Sequence, residues 1–194
     1  MGIYMNNLCY VLRCKSILKN ANVLILGRQQ INLRSADAAL IDQMFRNADI
    51  DYDYRACSLQ SYADELFLKV GCFSVTYMDY SDYESATFIH DLNQPLKDDV
   101  ACFDVVINGG TLEHIFNIPA GFLNINRLLA VSGNFIAMSP GNNWLGHGMY
   151  QFSPELFWTG LGSCGFDTQE VLLMLRNKTL KAVVLPDTRL DGVR

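Results

Sequence analysis

The 194-residue sequence has no run of lysine or arginine, no C-x-x-C pair, no H-x-x-x-H pair and no G-x-G-x-x-G loop. Each absence removes a class of function. Without a basic run, and with a net charge of -5, there is no positive footprint for nucleic acid or an anionic membrane surface. The most basic cluster, Arg13, Lys15 and Lys19, reads as the polar side of a helix. No apolar stretch reaches the roughly 20 residues that span a bilayer. Met1–Asn20 carries its charges behind its apolar residues, the reverse of a signal peptide, so an amphipathic helix and a cytoplasmic location are expected. The six cysteines lie scattered, most of them in apolar segments, and read as buried free thiols. The three histidines are equally scattered, and no metal site is expected from their spacing. Without G-x-G-x-x-G, no helix-start cradle for a dinucleotide pyrophosphate is expected.

What is present is apolar material in alternating patterns. Half the residues are hydrophobic and 18% are charged, which suits one domain over 1–194 with a large core. Short continuous apolar runs alternate with helical stripes, the signature of an α/β fold. Asn22–Leu26 (NVLIL), Cys72–Met78, Thr87–Ile89, Phe103–Ile107 and Asn134–Met138 read as strands. Leu40, Ile41, Met44 and Phe45 make a helical stripe after a cap at Ser35. Ser61 with Asp64 suggests a capped helix ending near Lys69, and Pro119–Ala130 a further helix. Thr111–Phe116 starts helical, and Ser153-Pro154-Glu155 is a helix start. Val171–Leu175 and Ala182–Leu185 suggest an antiparallel C-terminal strand pair. The expected architecture is a Rossmann-like, doubly wound, mostly parallel sheet with helices on both faces. The strong strands end in small or acidic residues: Gly27, Asp79, Asp91, Asn108-Gly109-Gly110 and Ser139-Pro140-Gly141. Open parallel sheets bind ligands beyond the carboxyl ends of their strands, so these residues mark a crevice.

The order strand-Gly, strand-Asp, Asp-Leu, FDVVINGG, TLEH and NFIAMSP resembles the class I S-adenosylmethionine (SAM) dependent methyltransferases over about Asn22–Asp167. The best segment is Phe103–Pro140. The resemblance implies SAM as cofactor. Gly27, Arg28 and Gln29 would lie under its amino-acid part and ribose. Asp79 would accept from the ribose hydroxyls, with Tyr80 against the adenine. Asp91 and Leu92 would read the adenine edge, and Asn108 and Gly109 would border the methyl group. The chain departs from the family at its first motif: a single Gly27 precedes Arg-Gln-Gln. Arg28 suits either the cofactor carboxylate, which its guanidinium can pair in two-pronged fashion, or a surface position. Gly27 and Asp79 stand 52 positions apart, against about 20 in dinucleotide-binding units. A helical insertion over 47–70, suited to a lid, accounts for the difference.

Two segments carry candidate chemistry. Glu113-His114 suits an acid–base pair, or equally a helix cap and a packed imidazole. The loop Gly141–Phe152 mixes glycines with Asn143, Trp144, His147 and Tyr150 on the ligand edge. His147 suits an acceptor-side base and the others acceptor binding, unless the loop is an aromatic plug. The segment is similar to a methyltransferase-like subgroup carrying N-W-x-G-H-G-x-Y-Q-F-S-P-E-L-F. Three functions follow as expectations. The first is methyl transfer to a small-molecule or saccharide acceptor, with a homodimer left open. The second is a non-catalytic methyltransferase-like scaffold. The third is another nucleoside-binding enzyme on such a sheet.

Overall fold

A computed structural model describes residues 2–58, 61–97, 99–174 and 180–182. The chain begins with a two-residue strand β1 (Gly2–Ile3) and two consecutive helices, α1 (Met5–Arg13) and α2 (Lys15–Leu18). Leu8, Val11 and Leu18 face inward, and Arg13 on the outer side pairs with Glu170 at 2.6 Å. This is the amphipathic division expected of the N-terminal segment.

Strand β2 (Asn22–Leu26) is the centre of the molecule. Val23, Leu24, Ile25 and Leu26 are all fully buried, which contributes about 1.5–3 kcal/mol apiece. Because strand side chains alternate, Val23 and Ile25 join one core cluster while Leu24 and Leu26 join another. That double burial is why the run is continuous rather than alternating. After β2 come β3 (Gln30–Ile31), α3 (Ala38–Ala48), α4 (Asp64–Val70) and β4 (Ser74–Asp79). Then follow β5 (Phe88–Ile89), β6 (Phe103–Asn108), α5 (Ile118–Leu128) and β7 (Leu129–Ala137).

The main sheet has the order β5-β4-β2-β6-β7, and all four ladders are parallel. Val23 stands opposite both Val75 and Val105, which fixes the register at the core. Residues of α1, α3 and α4 pack in the cluster holding Ile25 and Ile107, and those of α5 in the cluster holding Leu24 and Val106. The fold is therefore α/β, with a five-stranded parallel sheet covered by helices on both faces. Two further strands, β8 (Leu172–Met174) and β9 (Leu180–Ala182), pair antiparallel in a ladder of their own. Most of the expected last strand, Ala182–Leu185, lies outside the described residues.

The details depart from expectation where tertiary contacts compete with local signals. In the α3 stripe Ile41 and Phe45 are buried, while Leu40 is 42% exposed. Ser61 does not cap α4. The residue before that helix is Ala63, Ser61 Oγ accepts from Ser58 N–H, and the Asp64 carboxylate turns to Arg28. The 47–70 stretch contributes Ile50, Tyr52, Tyr54, Ala63, Leu66 and Phe67 to the same cluster as β2. It is thus a packed layer of the crossover between β2 and β4. Among the described residues no helix is long and apolar enough to cross a membrane.

Candidate functional site

The chain leaves β2 toward β4 on one side and later returns to β6 on the other. The strand order therefore reverses between β2 and β6, where such sheets open a crevice at the carboxyl edge. Gly27 and Asn108 flank this point. Gly27 has φ of 70°, a left-handed conformation that glycine adopts without strain. It turns the chain so that Gln29 points back into the crevice floor. Gln29 is 1% exposed, and its amide N–H donates to the Gly27 carbonyl at 3.2 Å. Its Oε1 is buried without a hydrogen-bond partner. A Cβ at Gly109 would stand 2.7 Å from the Gln29 side chain, so glycine at 109 makes room for this glutamine.

Arg28 is held between elements. Its guanidinium pairs with Asp64 at 2.8 Å, donates to the Glu84 carbonyl at 3.1 Å and lies 4.1 Å from the centre of the Tyr62 ring. The hydrogen bond it donates to Asp64 keeps Arg28 firmly charged. Burial first, and the Asp64 charge second, push the neighbouring Tyr77 phenol upward. Sequence reasoning missed Asp64 in this role, because its spacing from Ser61 mimics a capping box.

Asn108 is fully buried and fully engaged. Its Oδ1 accepts from Thr111 N–H (2.9 Å) and Leu112 N–H (3.0 Å), and its amide donates to Ser139 Oγ (2.9 Å). It ties the end of β6 to the next helical turn and to the end of β7. On the opposite half of the edge, Asp79 is half-buried; its Oδ1 accepts from Tyr80 N–H at 2.6 Å, and the Tyr80 ring is 74% exposed. Asp91 accepts from the backbone and side chain of Asn93 at 2.9 and 2.8 Å, and these bonds hold its carboxyl below the usual carboxylate range. Leu92 beside it is buried.

A second group forms just past Asn108. A short 3-10 turn, Leu112–His114, presents Glu113 inward and His114 outward. The 141–152 loop folds onto this turn. Met149 N–H and Tyr150 N–H both donate to the Glu113 carbonyl, at 2.7 and 3.2 Å. Gly148, with φ of 80°, lies so close that a Cβ there would stand 2.9 Å from Glu113. The loop thereby brings His147 Nε2 to 3.7 Å from Glu113 Oε1. The ring centres of His114 and Trp144 lie 5.2 and 5.0 Å from that of His147. Glu113 is 2% exposed, its Oε2 is buried without a hydrogen-bond partner, and burial raises its pKa against the opposing pull of the two imidazoles.

Of the other loop residues, Trp144 is anchored by its backbone N–H, which donates to Gln151 Oε1 at 3.0 Å. Tyr150 donates its hydroxyl to the Phe116 carbonyl at 2.7 Å and stacks on Phe152. Asn143 is exposed with φ of 61°. Phe116, Leu145 and Met149 add exposed apolar surface from the same two segments. An open cavity of about 280 Å³ lies beside β3, bounded by Tyr4, Asn32, Arg34, Tyr54 and Cys57; no residue expected at the cofactor crevice lines it. The carboxyl edge thus carries two adjoining groups: a crevice floor at Gly27, Gln29 and Gly109, and a polar cluster of Glu113, His114 and His147. No family model matches this chain, and no curated protein matches it.

Proposed function

We propose that the protein is a SAM-dependent methyltransferase acting on a small-molecule or saccharide-type acceptor. The observation that carries this reading is the placement of an acidic strand end, Asp79, across the switch point from an acid–imidazole cluster five and six residues beyond β6 and on the facing loop. One side of the crevice then suits a nucleoside and the other an acceptor.

The fit of the cofactor rests on two acceptors. Asp79 Oδ1 takes the Tyr80 N–H, leaving Oδ2 to accept from a ribose hydroxyl beside the exposed Tyr80 ring. The partnerless Oε1 of Gln29 suits the ammonium group of the amino-acid tail. Gln29 must swing off the floor to receive it, because its side chain fills the space against Gly109. Arg28 is already paired with Asp64, which competes with the tail carboxylate for its guanidinium. When bound, the cofactor supplies an electrophilic methyl on a sulfonium. The protein's task is to align the acceptor and accommodate its proton. His147, 43% exposed and backed by Glu113, faces that task, with Trp144 and Tyr150 as acceptor contacts.

A second reading is a non-catalytic methyltransferase-like module. It is favoured by the Gln29 side chain on the crevice floor and the Arg28–Asp64 pair beside it. Calorimetric titration with SAM and S-adenosylhomocysteine separates the two. Micromolar binding by the wild type, lost in Asp79→Ala, supports the enzyme. Absence of heat at millimolar ligand in both wild type and Gln29→Ala sinks it and leaves the module.

A further inference from the structure

The three histidines are far apart in sequence, yet the fold gathers two of them around one buried acid. Donor atoms of Glu113, His114 and His147 all lie within 4.8 Å of one another. We propose that this cluster is a binding site for a divalent transition-metal ion, held by one carboxylate and two imidazoles. The proposal needs no bound cofactor, and it gives His147 the role of a ligand in place of that of a base.

Two observations carry it beyond proximity. First, Glu113 is 2% exposed, and its Oε2 has no hydrogen-bond partner. A buried carboxylate oxygen normally recovers its lost hydration through donors or a cation. The nearest imidazole nitrogen stands at 3.7 Å from Oε1, beyond hydrogen-bond reach. A dication between the carboxylate and the rings supplies the missing charge. Second, the loop is built to stand there. Two backbone N–H groups clamp it to the Glu113 carbonyl, and glycine at 148 leaves out a Cβ that would stand 2.9 Å from Glu113.

The dimensions suit such an ion. Metal–ligand bonds near 2.0–2.2 Å at tetrahedral angles put donor atoms about 3.4 Å apart. The 3.7 Å Glu113–His147 separation, and the wider ones of up to 4.8 Å, close to this by side-chain rotation. A half-exposed His147 and an exposed His114 leave the remaining positions open to solvent. Three protein ligands with an open fourth position is the arrangement of catalytic rather than structural zinc sites. A water entering that position would lose its proton more readily.

The test is metal binding by the full-length protein, stripped by chelation and titrated with Zn²⁺, then Co²⁺ for its visible spectrum. The expected result is one equivalent bound at micromolar metal, with no thiolate-to-cobalt absorption. His147→Ala and Glu113→Gln should each weaken binding at least tenfold. His90→Ala, altering the histidine that lies at Gln94 instead, should leave it unchanged. His147 sits on a loop, so its variant keeps the test valid if Glu113→Gln misfolds. No binding at micromolar metal, equal binding by His147→Ala, or a thiolate band marking the six cysteines as ligands would each overturn the site.

Discussion

Replacing Asn108 with alanine separates a structural role from a ligand-binding one. Its side chain serves two backbone donors, one hydroxyl and the Met138 carbonyl, at 2.9, 3.0, 2.9 and 3.4 Å. All four bonds vanish in Asn108→Ala. Each buried donor left unmatched costs about 1–3 kcal/mol. Leu112 N–H is buried with its acceptor, whereas Thr111 is half-buried and regains part of its loss from water. A total of about 3 kcal/mol follows from the Leu112 amide, a reduced Thr111 share and the Ser139 bond. For a chain of this length that lowers Tm by about 6–12 °C. Urea unfolding followed by circular dichroism should show an earlier midpoint with an unchanged slope. Ser139→Ala, which removes one bond, should cost only about 1 kcal/mol. A midpoint shift in Asn108→Ala equivalent to less than 1 kcal/mol would refute the reasoning and return Asn108 to the ligand.

Two other perturbations follow from the same geometry. Asp91 has its folded pKa depressed by the Asn93 bonds, so its stabilising contribution is present above the ordinary carboxylate pKa and lost as pH falls through the lowered one. Asp91→Asn should flatten that acid limb of the Tm profile, and an identical limb in the variant would argue against it. Gly148→Ala forces a left-handed alanine, costing about 1–2 kcal/mol, and sets a Cβ against Glu113. Limited proteolysis within 141–152 should quicken while global Tm falls by only a few degrees; an unchanged cleavage rate would count against the docked loop.

The sheet was legible because burial on both faces makes a strand's composition almost independent of its neighbours. NVLIL and FDVVIN announce themselves through apolar and β-branched residues alone, and the small residues after them mark the edge. Long-range polar pairing leaves no such local mark. The union of Arg28 with Asp64 and Glu84 spans 36 and 56 positions, and Asp64 locally imitates a capping partner. Asn108 looked available at a strand end because nothing nearby in sequence foretells that Ser139 meets its amide. The histidine spacing argued against a shared ion for the same reason: His114 and His147 are 33 positions apart and meet only when the 141–152 loop folds back. At the last described helical region the pattern marks the start of the helix but not its course. Ser153-Pro154-Glu155 does start a helix, but it widens into a π-helical turn at Leu156–Gly160 and closes as a 3-10 turn.

The contact between Gln29 and Gly109 links two positions 80 residues apart into one steric allowance. Enlargement at 109 requires the end of the Gln29 side chain to turn away or a shorter residue at 29, whereas a shorter residue at 29 frees 109 to vary. Among descendants and cousins of this chain the two sites should therefore covary by volume, as a seesaw. A lineage in which position 29 shrinks to glycine would have regained a roomy crevice floor, and its position 109 would show when that room was put to other use.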